Sequence, residues 1–316
     1  MKLLITRKID SEAVALLNKY FTIKYFDKNI PMSKEILKAE IADYDAVLCC
    51  VSEKIDKEII KIGLPKLKVI SNMAIGLDNI DVEFALSNNV AVYNLSNIVT
   101  DATADMTLAM YLSMNRKINS AYNYVKSGKW NAWDPEIFCG RTLKNLTWGI
   151  IGLGNIGKAV SKRCLSFGTN LIYYDPYVDE TQLNGIKIYK KTLLKELIKE
   201  SDVISIHVPL NKSTYNLINY NNLSLMKRNA VLINMARGGI VNSNDLYKIL
   251  STRMIAGAAL DVFHPEPIDK KNNILNLNNV LITPHIGTAT VDCRKDMAIG
   301  AAKNIIKHYE EHNYEI

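Results

Sequence analysis

Short apolar runs alternate with amphipathic stretches along the whole chain. Over the first hundred residues "KLLIT", "DAVLCCV", "LKVISNM" and "VAVYNL" are dense in aliphatic and β-branched residues, while "MSKEILKAEIADY" and "VEFALSNN" repeat apolar residues at helical spacing. This rhythm predicts parallel strands joined by crossover helices. A longer helical pattern begins near Thr103, with Leu108, Tyr111 and Leu112 on one face, and continues past Arg116 through Ile118, Tyr122 and Val125. It predicts a connector between domains. From Trp148 six further apolar runs follow, "TWGIIGLGNIG", "NLIYYD", "DVISIHV", "AVLINMARGG", "IAGAALDV" and "VLITPHIG", enough for a complete dinucleotide-type sheet. The last stretch sets Ala298, Ala301, Ala302, Ile305 and Tyr309 on one helical face and predicts a second helix crossing back. The predicted class is α/β with two domains: a Rossmann-type doubly wound parallel sheet within 99–287, and a smaller flavodoxin-like parallel sheet built from 1–98 and 288–316.

Composition supports that size and narrows the setting. A chain of 316 residues, 48% apolar, buries a large core and suits two medium domains. "MKLLITRKID" breaks at Thr6, Arg7 and Lys8, well short of a signal-peptide core, and no run approaches the roughly 18 apolar residues of a membrane helix. Five cysteines form no C-x-x-C pair, and Cys49 and Cys50 adjoin inside a strand-like run, which predicts reduced core thiols and a cytoplasmic setting. Zinc spacing is absent, so no metal is expected. The net charge of +7 is scattered in doublets such as Lys190-Lys191 and Lys270-Lys271, without a basic tract or interleaved aromatics. That pattern predicts a solvated basic surface with no nucleic-acid or membrane partner, and it suits a small anionic substrate.

"GIIGLGNIG" is the first stretch with legible chemistry. Gly152, Gly154 and Gly157 have G-x-G-x-x-G spacing directly after a strand-like run and before a helical one, so that the loop, with Asn155 and Ile156, would hold a pyrophosphate at a helix N-terminus. Asp175, about twenty residues on at the end of "LIYYD", is placed to accept hydrogen bonds from a ribose diol, and it favours NAD over NADP, with NADP still possible. His207 is expected to line the same groove. A glycine turn that binds nothing, and an S-adenosylmethionine-dependent methyltransferase, share these features.

Three polar residues at later strand ends argue for redox chemistry. Arg237 follows "VLINMA", Glu266 follows "AALDVFHP", and His285 follows "LITP", where the backbone is expected to turn at Gly287. In open parallel sheets such ends line the crevice beside the ligand. A guanidinium binds a carboxylate with paired donors, an imidazolium protonates an oxygen, and a carboxylate beside the imidazole orients it and favours its charged form. Each alone also has a structural reading: Arg237 capping the turn before Gly238-Gly239, Glu266 solvated between two prolines, His285 a satisfied ring or a metal ligand. Together at three strand ends they point to one site.

The ordered set of motifs resembles the D-isomer-specific 2-hydroxyacid dehydrogenases, and its glyoxylate and hydroxypyruvate reductases in particular. "AIGLDNID" resembles the family's substrate loop, "GIIGLGNIG" its dinucleotide loop, "HVPLNKST" its adenosine-side loop, "NMARGG" its arginine loop, "LDVFHPEP" its acid loop and "TPHIG" its histidine loop. The resemblance implies NAD(P)H-dependent reduction of a small 2-oxoacid to the D-2-hydroxyacid, with Arg237, Glu266 and His285 as the catalytic residues. It implies that the backbone of Ile75 and Gly76 helps Arg237 hold the substrate carboxylate. Asp261 is implied to meet the nicotinamide carboxamide, and Thr103, Pro209 and Thr214 to contact cofactor. By the same resemblance 1–98 with 288–316 is the substrate-binding domain and 99–287 the NAD-binding domain. "SGKWNAWDPEIFCGRTLKN" resembles the segment before the glycine loop in glyoxylate and hydroxypyruvate reductases, with Trp130, Trp133 and Phe138 available to a substrate or a partner subunit, and the segment from 100 to 140 resembles the arm through which family members form homodimers. A short-form D-3-phosphoglycerate dehydrogenase, or an NAD-sensing regulator resembling the C-terminal-binding-protein corepressors, shares much of this pattern.

Overall fold

Every apolar run singled out above is a strand. The computed structural model describes residues 1–178 and 190–312; the portions of the expected domain spans at 179–189 and 313–316 lie outside the described residues. The chain divides into one unit of 1–99 with 289–316, and a second of 100–288.

The first unit holds β1 (Lys2–Ile5), β2 (Thr22–Tyr25), β3 (Ala46–Cys49), β4 (Val69–Asn72) and β5 (Ala91–Tyr93), all parallel in the order β2-β1-β3-β4-β5. This is the flavodoxin-like order. β2 was not among the expected strands. It is an edge strand whose residues alternate between exposed and half-buried, so its sequence "TIKY" lacks the apolar density of the inner strands. Helices α1 (Ser11–Leu17), α2 (Lys34–Glu40), α3 (Lys57–Gly63) and α4 (Val82–Ser87) each start at a side-chain cap, from Asp10, Ser33, Asp56 and Asp81 respectively. The last helix, α11 (Val291–Glu311), buries Ala298, Ala301, Ala302, Ile305 and Tyr309, and its Ala301 carbonyl accepts a hydrogen bond from Ser71 Oγ at 2.9 Å. His308 is buried as well, 3.0 Å from Tyr93 Oη, although its neighbours in sequence are polar.

The second unit opens with α5 (Thr100–Asn115) and α6 (Ile118–Lys126). These are two helices, where one continuous pattern was expected, because Lys117 takes a left-handed conformation with φ 50°. α5 lies wholly in the second unit and α11 wholly in the first; the chain passes between units just before each helix, at 99–100 and 288–289. The sheet comprises β6 (Thr147–Ile151), β7 (Asn170–Tyr174), β8 (Lys190–Lys191), β9 (Val203–Ile206), β10 (Val231–Asn234), β11 (Gly257–Leu260) and β12 (Val280–Ile282), in the order β12-β11-β10-β9-β6-β7-β8. That is the Rossmann order with one strand added at the end. Seven strands replace the expected six because β8, a two-residue lysine edge strand, carries no apolar signal. One face is covered by α5 and α7 (Asn155–Ser166), which bury Leu108, Tyr111, Val160 and Cys164 against Trp148, Tyr173 and Ile233. The other is covered by α8 (Leu194–Glu200), the short α9 (Tyr220–Leu223) and α10 (Ser243–Ser251), through Leu197, Leu223, Leu246 and Ile249.

Near the N-terminal edge of this sheet Asp202 accepts the Thr147 N–H at 3.0 Å and pairs with Arg141 at 3.2 Å and Lys227 at 3.5 Å. Burial pushes its carboxyl up, but these partners outweigh burial and hold it below the ordinary carboxylate value. A carboxylate lowered on folding stabilises the fold above about pH 4, and that contribution disappears as pH falls through its folded value. Asp202→Asn should therefore cost about 1 kcal/mol at neutral pH and flatten the loss of stability on acidification. Urea midpoints measured from pH 3 to 7 for both proteins check this; parallel curves would refute it.

Candidate active site

Hydrogen-bond register puts Tyr174, Ile151, Ile206, Asn234, Leu260 and Ile282 in one row across β7, β6, β9, β10, β11 and β12. The residues that follow this row are the chemical ones: Asp175, Gly152, His207, Arg237, Asp261 and His285. Parallel pairing thus delivers all of them to the same edge of one sheet.

On the β6–β7–β9 side the geometry fits a dinucleotide. Gly152 adopts φ +92°, and a Cβ there would lie 2.9 Å from the His207 backbone; a Cβ on Gly157 would lie 2.1 Å from the Gly152 carbonyl oxygen. Those two glycines are required by the chain itself. Gly154 is not, since a Cβ on it would meet nothing within 4 Å. Gly154 is also the N-cap of α7, which has no side-chain cap from that residue and no acid in its first turn. An uncapped N-terminus with open space in front suits a phosphate. Asp175 accepts the Leu153 N–H at 2.8 Å and the Tyr177 and Val178 N–H groups at 2.8 and 3.2 Å, tying the glycine loop to the end of β7. His207 Nε2 is buried without a hydrogen-bond partner among the described residues, and burial pushes the imidazole down to about 3, so it stays neutral.

On the β10–β11–β12 side, His285 Nδ1 lies 2.5 Å from Glu266 Oε1. Burial pushes Glu266 up, but the hydrogen bond and charge of His285, the Phe263 N–H at 3.2 Å and the charge of Arg237 together hold its carboxyl below the ordinary value. His285 itself is in the left-handed region with φ 54°. The sharp turn is thus at the histidine and not at Gly287, whose lack of a side chain instead serves close approach: a Cβ there would stand 3.2 Å from Asp261 Oδ2. The buried Asp261 carboxylate holds the loop, accepting from Thr283 Oγ1 at 2.6 Å, Ile286 N–H at 2.8 Å and Gly287 N–H at 2.7 Å, while its carbonyl accepts the His285 N–H at 2.9 Å. Arg237 donates from Nη1 to the Ala236 carbonyl at 2.9 Å, and Asn234 Nδ2 donates to the Arg237 carbonyl at 2.9 Å.

Residues 108–287 match the model of the D-isomer specific 2-hydroxyacid dehydrogenase NAD binding domain. The chain belongs to the D-isomer-specific 2-hydroxyacid dehydrogenases. The glyoxylate reductase of Thermococcus litoralis is 41% identical over 313 residues, spanning 96% of this chain and 92% of that protein. Among solved structures, a protein from Thermus thermophilus superposes with a TM-score of 0.91 at 34% identity, covering 98% of this chain and 97% of the other. D-lactate dehydrogenase from Aquifex aeolicus, solved with NAD and lactic acid, gives 0.84 at 29% identity over 99% and 97%. The chain is an NAD(P)-dependent oxidoreductase.

The other residues expected to contact cofactor or substrate fall in three places. Thr103, buried on α5, lies beside the histidine loop, its Cγ2 3.8 Å from where a Cβ on Gly287 would sit. Thr214 Oγ1 donates to the Pro209 carbonyl at 2.6 Å and accepts the Asn211 N–H at 2.9 Å, so the 207–214 loop closes on itself. Ile75 and Gly76 belong to the first unit. Trp130 and Trp133 are exposed, Trp133 by 83%, while Phe138 packs edge-on against Tyr124 with ring centroids 5.4 Å apart. Cys139 is exposed too, against the expectation of core thiols; Cys49, Cys164 and Cys293 are buried, and all five are free. Among the described residues no group of three or more His, Cys, Asp or Glu is placed to hold a metal, and no helix is long and apolar enough to cross a membrane. Sequence reasoning passed over Gly238, where a Cβ would come within 1.9 Å of the Phe263 carbonyl carbon, so the arginine and acid loops touch backbone to backbone. The Gly-Gly pair after Arg237 was its only signal.

Gly154 and Gly238 therefore should respond oppositely to alanine. Gly154→Ala is expected to leave the melting temperature within about 2 °C and to weaken NADH binding at least about tenfold. Gly238→Ala should destabilise the fold by about 2 kcal/mol or more. Calorimetry and NADH fluorescence titration of both variants read this out, and unchanged NADH affinity in Gly154→Ala would contradict it.

Proposed function

We propose that this dehydrogenase reduces a small 2-oxoacid of the glyoxylate or hydroxypyruvate type to the D-2-hydroxyacid, and that Arg237, Glu266 and His285 perform the chemistry. The observation carrying this reading is the 2.5 Å His285–Glu266 pair beyond the ends of β11 and β12. With Nδ1 held by the carboxylate, Nε2 is the ring nitrogen left to give a proton to the substrate oxygen or take it back. Arg237 offers a planar fork to the substrate carboxylate, and its charge is felt by Glu266. The family resemblance assigns Ile75 and Gly76, in the first unit, to substrate binding as well. NADH, when bound, supplies the hydride. Gly152, Gly154, Asn155, Ile156, Gly157, Asp175, His207, Pro209, Thr214, Thr103 and Asp261 would hold it in the second unit, which makes that unit the NAD-binding domain and the first the substrate-binding domain. Asp175 supports NADH over NADPH, because a carboxylate repels a 2′-phosphate.

We further assign a homodimer in the cytoplasm. α6 buries none of its residues, and Ile118, Tyr122 and Val125 lie exposed along it, which suits burial by a second copy. Five free cysteines accord with a reducing compartment. Tyr122→Asp should convert a dimer to monomer in sedimentation velocity; a wild-type monomer would defeat the assignment.

NADH oxidation is to be followed with glyoxylate, hydroxypyruvate, pyruvate, 2-oxoglutarate and phosphohydroxypyruvate. Glyoxylate or hydroxypyruvate should give the highest kcat/KM. Preference for phosphohydroxypyruvate would instead indicate a phosphoglycerate dehydrogenase, and no turnover with any acid a regulatory binding protein. Reduction consumes the imidazole proton, so His285→Gln, whose amide cannot pass a proton to the substrate oxygen, should lose at least about 100-fold in kcat. A His285→Gln enzyme with wild-type turnover would disprove the role.

A further inference from the structure

The loop after β4, residues 73–80, has every carbonyl from Ala74 to Leu77 occupied from within the first unit. Leu95 N–H donates to Ala74 O at 2.8 Å, Asn94 Nδ2 to Ile75 O at 2.7 Å, Asn72 Nδ2 to Gly76 O at 2.8 Å, and Ile80 N–H to Leu77 O at 2.9 Å. The N–H groups of Ile75, Gly76 and Leu77 donate to nothing among the described residues. Ile75 is nevertheless only 38% exposed, and Gly76 and Leu77 are half-buried. Successive amides left open while their carbonyls are tied down can donate to an anion.

The two asparagines are themselves fixed. Asn72 is fully buried; its Oδ1 lies 3.6 Å from Cys49 Sγ, and its Nδ2 also donates to Asn79 Oδ1 at 2.9 Å. Asn79 in turn donates to the Cys50 and Glu53 carbonyls, both at 3.0 Å. Asn94 is anchored by Asn304 Nδ2, which donates to its carbonyl at 3.0 Å. An aspartate at either position would place an acceptor against a carbonyl and push that peptide round. We propose that Asn72 and Asn94 are positioning residues that, by tying down the carbonyls of this loop, keep the amides of Ile75, Gly76 and Leu77 available as donors to the carboxylate of the 2-oxoacid. The assignment rests on the functional reading above. It adds Leu77 as a third donor and gives the two asparagines a part in substrate affinity without contact with the substrate.

The test compares wild type, Asn94→Ala and Asn94→Asp, with Asn72→Ser as a second site. Steady-state constants for glyoxylate with saturating NADH are measured, together with calorimetric binding of oxamate, an unreactive 2-oxoacid mimic, NADH affinity by fluorescence, and melting temperature. Asn94→Asp should raise KM for glyoxylate and Kd for oxamate by about tenfold each, with kcat and NADH affinity within about twofold. Asn94→Ala should fall between it and wild type, because water can replace the lost donor but not an opposing acceptor. Asn72→Ser should shift the same two constants in the same direction. The proposal is overturned if glyoxylate KM and oxamate Kd stay within about twofold of wild type in Asn94→Asp, or if NADH affinity falls in step with them. Wild-type enzyme that reduced no 2-oxoacid would sink the functional reading, whereas normal reduction with unmoved Asn94→Asp constants would sink this assignment alone.

Discussion

The site of the second unit depends on one constraint, the register row from Tyr174 through Ile151, Ile206, Asn234 and Leu260 to Ile282. Slipping any strand by one residue would exchange its two faces, moving buried side chains such as Ile151 and Ile206 out of one core cluster and into the territory of the other. Both faces of this sheet are covered, so neither exchange is tolerated. The same packing that stabilises the unit therefore sets the height at which Asp175, His207, Arg237, Asp261 and His285 emerge. Site precision is a by-product of core packing.

Beyond the row, local tension is held by buried polar groups. His285 adopts a backbone conformation that L residues rarely enter, at a cost on the order of 1 kcal/mol. The Asp261 carboxylate, with three donors from the same loop, offsets that cost and fixes where the imidazole stands. The resemblance implied a cofactor contact for Asp261. The structure adds a second duty, because its oxygens already hold the histidine loop. Arg237 is supported in a comparable way: Asn234 ties the arginine loop from below, and Gly238 lets it lie against the acid loop.

Much of this was legible in the sequence, and the exceptions have physical reasons. Strands buried on both faces announce themselves as continuous apolar runs, which is why β1, β3 to β7 and β9 to β12 were expected. β2 and β8 are edge strands with exposed or charged residues, so their pairing is decided by tertiary contact. The α5–α6 break was invisible because the apolar spacing runs straight through it, while Lys117 turns left-handed with no glycine to mark the place. That Arg237, Glu266 and His285 follow successive late strands was read from residue type and strand ends, and the register row bears out that placement. The left-handed turn at His285 was not, since a glycine two residues later looked the better candidate. Asn72 and Asn94 were missed for a different reason: asparagines in loops are common, and only the direction of their hydrogen bonds distinguishes them.

These observations explain how proton chemistry stays confined to one pair. Where cofactor phosphates and the substrate carboxylate are proposed to bind, the chain presents helix and loop amides. Dipoles of this kind do not titrate. His207, at the cofactor side, is kept neutral by burial, and the Cys49, Cys50 and Cys164 thiols are pushed up by theirs. Arg237 stays charged throughout. Glu266 is held ionised chiefly by its neighbour His285 against its own burial. An enzyme that must add a proton and a hydride to one carbonyl needs a proton donor held in place, and the role proposed for His285 gives it a ring fixed by Glu266.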